Sequence, residues 1–314
     1  MVVRGRHDTG YTTWDTLGPM GQQEIVIHAD DVGMCHGANA AFVELSKRGS
    51  ISAGSVMVPC PWFSEMAQLA ADAAQADSLD LGVHLTLNSE QKGYRWGPVS
   101  QPTKAAGLTD EHGYFWPTVA EVQRHAVPEA VETEWRAQID RALAAGIDVT
   151  HLDAHMGSAL APEYGERYVA VGVEYDVPVL LTSTFAGYDP GPHILGATED
   201  NFAAFVGAAR AAGMPLFGRC LETDFGRPRG GPIDYAALLQ SDSSDLVYCA
   251  FHPCRPGPGE VEVIEPASHH VRVDEYELFR AQAWTEWLDA QEFSVIGMRE
   301  IRDRFRAAAT GGHT

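Results

Sequence analysis

The sequence predicts an α/β protein, a TIM-like (β/α) barrel of seven or eight parallel strands. Three observations predict it. Short apolar runs alternate with helix-length amphipathic segments along most of the chain. Runs such as Leu246-Val247-Tyr248-Cys249-Ala250-Phe251 are apolar throughout, as strands buried on both faces must be. Residues able to do chemistry gather where such runs end, which is where barrel sites are built.

The first strand is expected at 24–33, Glu-Ile-Val-Ile-His-Ala-Asp-Asp-Val-Gly, a short run that delivers Asp30 and Asp31 into a turn at Gly33. Successive strand side chains point to opposite faces, so adjacent aspartates line one pocket only if the strand is ending. From Ala38 to Arg48, Ala41, Phe42 and Leu45 recur at helical spacing, and Gly49 offers a left-handed cap. A second strand at 51–58 is followed by a helix at 62–76 with Phe63, Met66, Leu69 and Ala70 on one face, and a third strand spans 79–87. After the helix at 129–145, strands are expected at 148–155, 178–182, 216–222, 245–252 and 293–298. Helices at 162–175, 199–212, 233–240, 274–289 and 299–309 alternate with them. Residues 1–22 and 310–314 read as tails flanking a single barrel domain at 23–309. The connection at 88–128 is too long for an ordinary loop and holds Tyr94, Trp96, Tyr114, Phe115 and Trp116. It reads either as a lid or apolar platform for sugars, with Trp96, Tyr114 and Trp116 as substrate candidates, or as a small core of its own.

A formal charge of −21 argues against nucleic acid and anionic membranes as partners, whereas a small neutral molecule or oligosaccharide is compatible with it. Five cysteines with no CxxC spacing indicate neither a zinc ribbon nor a disulfide framework, and with no secretory signal in the opening residues the expected compartment is the cytoplasm. No run reaches membrane-spanning length, and nothing in the sequence decides whether the chain is a homo-oligomer.

Four strand ends carry the chemistry: Asp30-Asp31, His84 in Gly-Val-His-Leu-Thr, His151-Leu-Asp153-Ala-His155, and His252-Pro253. A period of two places His151, Asp153 and His155 on one face, and three polar groups on one face of an apolar strand need partners. A metal, or acid–base work around one, supplies them. Asp153 also suits a supporting role, orienting a histidine. Glu222 and Asp224, near the end of the sixth strand, are further pocket candidates.

Taken together, His-Ala-Asp-Asp-Val-Gly at 28–33, Gly-Val-His-Leu-Thr-Leu at 82–87, Thr-His-Leu-Asp-Ala-His at 150–155 and Phe-His-Pro at 251–253 resemble the YdjC-like carbohydrate deacetylases. The resemblance implies a distorted barrel and one divalent metal on Asp31, His84 and His155. Asp30 is then the general base, and His252 is placed in the pocket as the candidate acid. Zinc is the first expectation, with magnesium, manganese, cobalt, nickel and iron as alternatives. The implied activity is removal of an N-acetyl group from an amino sugar or short oligosaccharide. Two positions depart from the family pattern: Met156-Gly157 where further histidines are common, and Cys254 where glycine is usual. Two other readings stand beside this one, a non-haem iron oxygenase using His151, Asp153 and His252, and a carbohydrate-binding barrel without chemistry.

Overall fold

The computed structural model describes residues 22–72, 79–189 and 194–311. The predicted N-terminal tail, apart from Gln22, and the end of the helix expected at 62–76 lie outside them. So does the predicted C-terminal tail, apart from residues 310 and 311.

Eight strands form one parallel sheet: β1 (Glu24–Val32), β2 (Ala53–Val56), β3 (Leu81–Leu85), β4 (Val149–Ala154), β5 (Tyr188–Asp189), β6 (Arg219–Glu222), β7 (Leu246–Phe251) and β8 (Ser294–Val295). The order is β4-β3-β2-β1-β7-β6-β5, and β8 pairs with the start of β1. Ile25, Val26 and Ile27 of β1 are fully buried, as are Val247, Tyr248 and Cys249 of β7, so β1 and β7 are covered on both faces.

The expected fifth strand at 178–182 is corrected by the structure. That run is apolar and of the right length, but it divides its hydrogen bonds between two neighbours. Leu180 N–H donates to Leu152 O in β4, and Ser183 N–H donates to Phe217 O just before β6. Each contact is a single parallel bridge, Leu152 with Val179 and Thr182 with Phe217. The fifth ladder forms instead at β5. The segment thus spans the gap between β4 and β6, and the result is a distorted barrel without a continuous closing ladder.

The helices pack outside the sheet. In order they are α1 (His36–Arg48), α2 (Phe63–Ala71), α3 (Val119–His125), α4 (Pro128–Ala144), α5 (Gly165–Glu174), α6 (Glu199–Ala211), α7 (Tyr235–Ser241), α8 (Glu260–Ile264), α9 (His269–Arg280), α10 (Gln282–Asp289) and α11 (Met298–Gly311). Local chemistry sets their ends. Gly49 (φ +72°) caps α1 with its N–H on Leu45 and Ser46 carbonyls, and reciprocal capping boxes start α3 (Thr118/Glu121) and α6 (Thr198/Asn201). Pro128 occupies the first turn of α4, where a missing N–H costs nothing. The helix expected at 274–289 is two, α9 and α10, separated by an extended Ala281, and α11 runs to Gly311.

Candidate active site

Asp30 and Asp31 sit at the end of β1, and the backbone there evades strict alternation. Asp31 has φ +59°, a left-handed conformation uncommon for a residue with a Cβ, and the pairing with β2 slips between Ala29 and Val32. Both carboxylates therefore line one cleft of about 680 Å³. The left-handed residue falls within the strand at Asp31, and the strand then ends at Val32 and turns at Gly33 (φ +88°), as expected.

His84, on β3, has Nδ1 at 2.9 Å from Asp153 Oδ1 and 3.0 Å from Ser55 Oγ. Asp153 Oδ2 accepts from the Ser55 hydroxyl at 2.8 Å and the Tyr248 hydroxyl at 3.0 Å. A carboxylate on Nδ1 fixes the proton there, so Nε2 is the ring's ligating atom. It lies 3.3 Å from Asp31 Oδ1. His155, just past β4, mirrors it: Nε2 is 3.1 Å from Glu90 Oε2, and Nδ1 is 3.1 Å from Asp31 Oδ1. Arg272 donates to Asp31 Oδ2 at 2.7 Å, while the buried Oδ1 makes no hydrogen bond among the described residues.

Three electron-rich atoms thus converge in a buried place, an arrangement that repels itself unless a cation or extra protons lie between them. Asp31, His84 and His155 each offer one ligand atom, all within 4.8 Å of one another. Two imidazoles and a carboxylate form a donor set suited to a divalent transition ion, and the residues present fit one. Without the ion, protons take up the strain. Burial lowers both histidines, but Asp153 beside His84 holds it well above its usual value, and Glu90 and Asp31 bring His155 to about 9. Burial raises Asp31, but Arg272 and the two histidines hold it well below the usual carboxylate range.

Two other clusters of comparable spacing, His28/His151/Asp153 and Asp30/His84/Asp153, are satisfied internally. Beneath Asp30 runs a chain in the barrel interior: His28 Nδ1 is 2.6 Å from Asp30 Oδ1, His28 Nε2 is 2.9 Å from His151 Nε2, and His151 Nδ1 is 2.9 Å from Thr150 Oγ1. Burial lowers His28 to about 4 and His151 to about 3, so both rings are neutral. With Asp30 ionised, one set of tautomers satisfies every atom, each donor pointing toward the Asp30 carboxylate. Gly82 makes room for this chain, since a Cβ there would lie 2.5 Å from the His151 ring. Burial, with Asp153 and Asp31 nearby, raises the Asp30 carboxyl well above its ordinary value.

His252 lines the cleft with Nε2 at 3.8 Å from Asp30 Oδ2. Its Nδ1 meets Thr223 Oγ1 at 2.9 Å, and the Thr223 hydroxyl donates to Glu275 Oε1 at 2.6 Å. Burial, the Arg272 cation and the neighbouring histidines depress its pKa well below 6.5, against the pull of Asp31.

The oxygenase set is not assembled: both nitrogens of His151 are engaged by His28 and Thr150, both oxygens of Asp153 are occupied, and no cluster among the described residues joins them to His252. Glu222 and Asp224 line the cleft. Trp96, Tyr114 and Trp116 do not. Trp96 is buried with Nε1 on Asn88 O, Trp116 stacks on His125 at 4.2 Å, and Tyr114 lies under Arg95 on the outside. The long connection buries Trp96, Leu108 and Phe115 in the main hydrophobic core, and reaches the cleft through Glu90, Gln91 and residues 118–120. Tyr168 and Tyr188 line the cleft but are buried, whereas Phe225 is 38 % exposed on its wall, with its ring 4.8 Å from His252. Met156 is likewise exposed on the cleft wall, in a left-handed conformation (φ +52°), whereas Cys254 is buried 3.7 Å from Cys35.

Sequence reasoning missed His28, Glu90, Phe225, Arg272 and Glu275. His28 carried a signal, a polar residue in the middle of an apolar strand. Replacing Asp153 with asparagine is expected to weaken zinc binding about 10–100-fold, because the amide no longer fixes the His84 tautomer. Competition with a chromogenic chelator measures it.

A distorted (β/α) barrel with a buried two-histidine, one-aspartate donor set at its strand ends defines a class of metal-site barrels. Within that class, the family model described as YdjC-like protein matches residues 24–290, and the chain belongs to the YdjC-like family. Curated relatives named carbohydrate deacetylase include those of Thermus thermophilus, 35 % identical over 59 % of this chain and 63 % of the relative, and Thermoanaerobacter pseudethanolicus, 28 % identical over 50 % and 60 %. The matches thus span less than two thirds of these relatives. A crystal structure from Enterococcus faecalis, of a protein named for a proposed role in cellobiose-phosphate cleavage, superposes over 90 % of this chain and 99 % of that one. Its TM-score is 0.69 at 19 % identity, a likeness of fold alone.

Proposed function

We propose that this chain is a metal-dependent carbohydrate N-deacetylase that hydrolyses the acetamide of an amino sugar or short oligosaccharide to acetate and an amine. The observation that carries the reading is the buried, unsatisfied Asp31 Oδ1 facing His84 Nε2 and His155 Nδ1. The family and the names of its relatives support the reaction class. A non-catalytic sugar-binding barrel gives no reason for three ligand atoms to converge in this way.

When bound by Asp31, His84 and His155, a divalent ion, with zinc as the first candidate, supplies Lewis-acid chemistry, lowering the pKa of water toward about 7 and polarising the acetyl carbonyl. Asp30 accepts the proton of the attacking water at Oδ2, while His28 holds Oδ1 and so fixes the carboxylate's orientation. His252 Nε2 lies 3.8 Å from Asp30 Oδ2, so the proton reaches it through one bridging water before passing to the leaving nitrogen. Thr223 and the buried Glu275 orient the ring through its other nitrogen. Phe225 offers an apolar face to the sugar ring beside His252. Five unpaired cysteines favour the cytoplasm as the working compartment, and no described helix is long and apolar enough to cross a membrane.

The test is acetate release from N-acetylglucosamine and its β-linked oligomers by metal-stripped protein, with single ions restored. Release that requires the ion supports the reading, and release that survives chelation overturns it. Phe225→Ala is expected to raise KM about 10-fold with a smaller change in kcat, read from initial rates on the same sugars, as loss of a stacking contact worth roughly 1 kcal/mol or more predicts.

A further inference from the structure

We propose that the cleft selects amino sugars without a phosphate or other anionic group, and that Glu222 and Asp224 enforce the choice; this rests on the deacetylase reading above. The two residues stand at and just beyond the end of β6 on the cleft wall. The Glu222 carboxylate has no hydrogen-bond or ion-pair partner among the described residues, although burial and the nearby Asp30 bring its pKa to about 7. Asp224 commits Oδ1 to the Gly226 N–H at 2.9 Å. Such carboxylates accept hydrogen bonds from sugar hydroxyls or pair with an ammonium group.

Positive charge in the cleft is confined to the metal centre and one arginine beside it. Glu90 lies on the loop after β3 and Glu265 between α8 and α9, so carboxylates stand on several sides. Among the described residues, the one lysine or arginine in the lining is Arg272, and it is engaged by Asp31 at 2.7 Å and Glu265 at 2.5 Å, with its guanidinium 5.1 Å from the Phe225 ring centre. Ser268, at the N-terminus of α9, already donates to Glu265 Oε2 at 3.0 Å. A phosphoryl group lying along the Glu222 and Asp224 wall, away from the metal centre, needs cationic or N–H donors that this wall does not offer, and its carboxylates repel it. A neutral acetamido sugar meets no such barrier.

The experiment compares kcat/KM for acetate release from N-acetylglucosamine and its 6-phosphate by zinc-loaded protein, alongside calorimetric binding of glucosamine and glucosamine 6-phosphate. The expected preference for the unphosphorylated sugar is about 100-fold, falling at least 10-fold in the Glu222→Gln/Asp224→Asn double variant and shrinking at high salt. Equal rates, or a preference that survives the double substitution, overturn the selection while leaving the deacetylase reading intact. Absence of turnover on both sugars with zinc bound overturns the reaction instead, and calorimetry then decides the selection. Binding of glucosamine but not its phosphate upholds it, and equal binding rejects it.

Discussion

Asp30→Asn is expected to lower kcat about 10²–10⁴-fold while the protein keeps its bound metal, the range set by loss of a positioned general base. The substitution is nearly isosteric. The amide oxygen still accepts from His28 Nδ1, so the chain through His151 to Thr150 survives, and Asp31, one residue on, keeps Arg272. What is lost is the capacity to hold a proton. The pH profile gives a second reading. Because the Asp30 carboxyl is raised well above its ordinary value, the wild-type rate should fall on the acid side as that group protonates, and the residual rate of the variant should lack this limb. Stopped assays with metal content measured on the same samples decide the matter. A variant with wild-type kcat and full zinc removes Asp30 from the reaction.

How much of this was legible in the sequence depends on the kind of signal each residue leaves. His84 and His155 are polar interruptions of apolar strands, and Asp31 follows such a strand to its end. Periodicity and position therefore expose them. Glu90 and Arg272 leave no such mark. One sits on an irregular loop and the other on a helix 241 positions from the Asp31 it neutralises, and only tertiary folding joins them. The aromatic loop misled for a related reason. Aromatic content shows that a segment buries something, but not whether it buries ligand or itself, and here Trp96 and Phe115 pack inward. Phe225 stands alone in a short polar stretch, so nothing local distinguished it. The run at 178–182 shows a further limit: hydrophobic pattern reports burial, but ladder formation needs a neighbour paired over several residues, and this segment shares itself between two. The adjacent aspartates were the most informative case. Alternation forbade their sharing a pocket, and the structure resolves the conflict with a left-handed residue at one of the proposed ligands, a strained conformation of the kind found at functional sites.

That strained centre should couple metal to protons. Zinc added to chelator-stripped protein at pH 7 is expected to release between one and two protons per ion, measured by calorimetry in buffers of different ionisation enthalpy. The sign follows from the two histidines. In the metal-free fold, Glu90 and Asp31 raise His155 to about 9, so it is largely protonated at pH 7; Asp153 raises His84 as well, and each ring must be neutral at its ligating nitrogen. Affinity should therefore fall as pH is lowered. The stabilisation these protonated rings give the metal-free fold is fully present below about 6.5 and is lost as pH rises through about 9. Zinc should then be the stronger stabiliser on the alkaline side. At an ion concentration about 100 times Kd the fold gains about 2.7 kcal/mol, a rise in Tm of roughly 4 °C for a chain of this size. Asp31→Asn should erase both the proton release and the Tm rise while leaving a folded protein, because the amide oxygen can still accept from Arg272. A Tm rise of the same size in that variant would place the ion elsewhere, and zinc binding without proton release would mean that His84 and His155 are not its ligands.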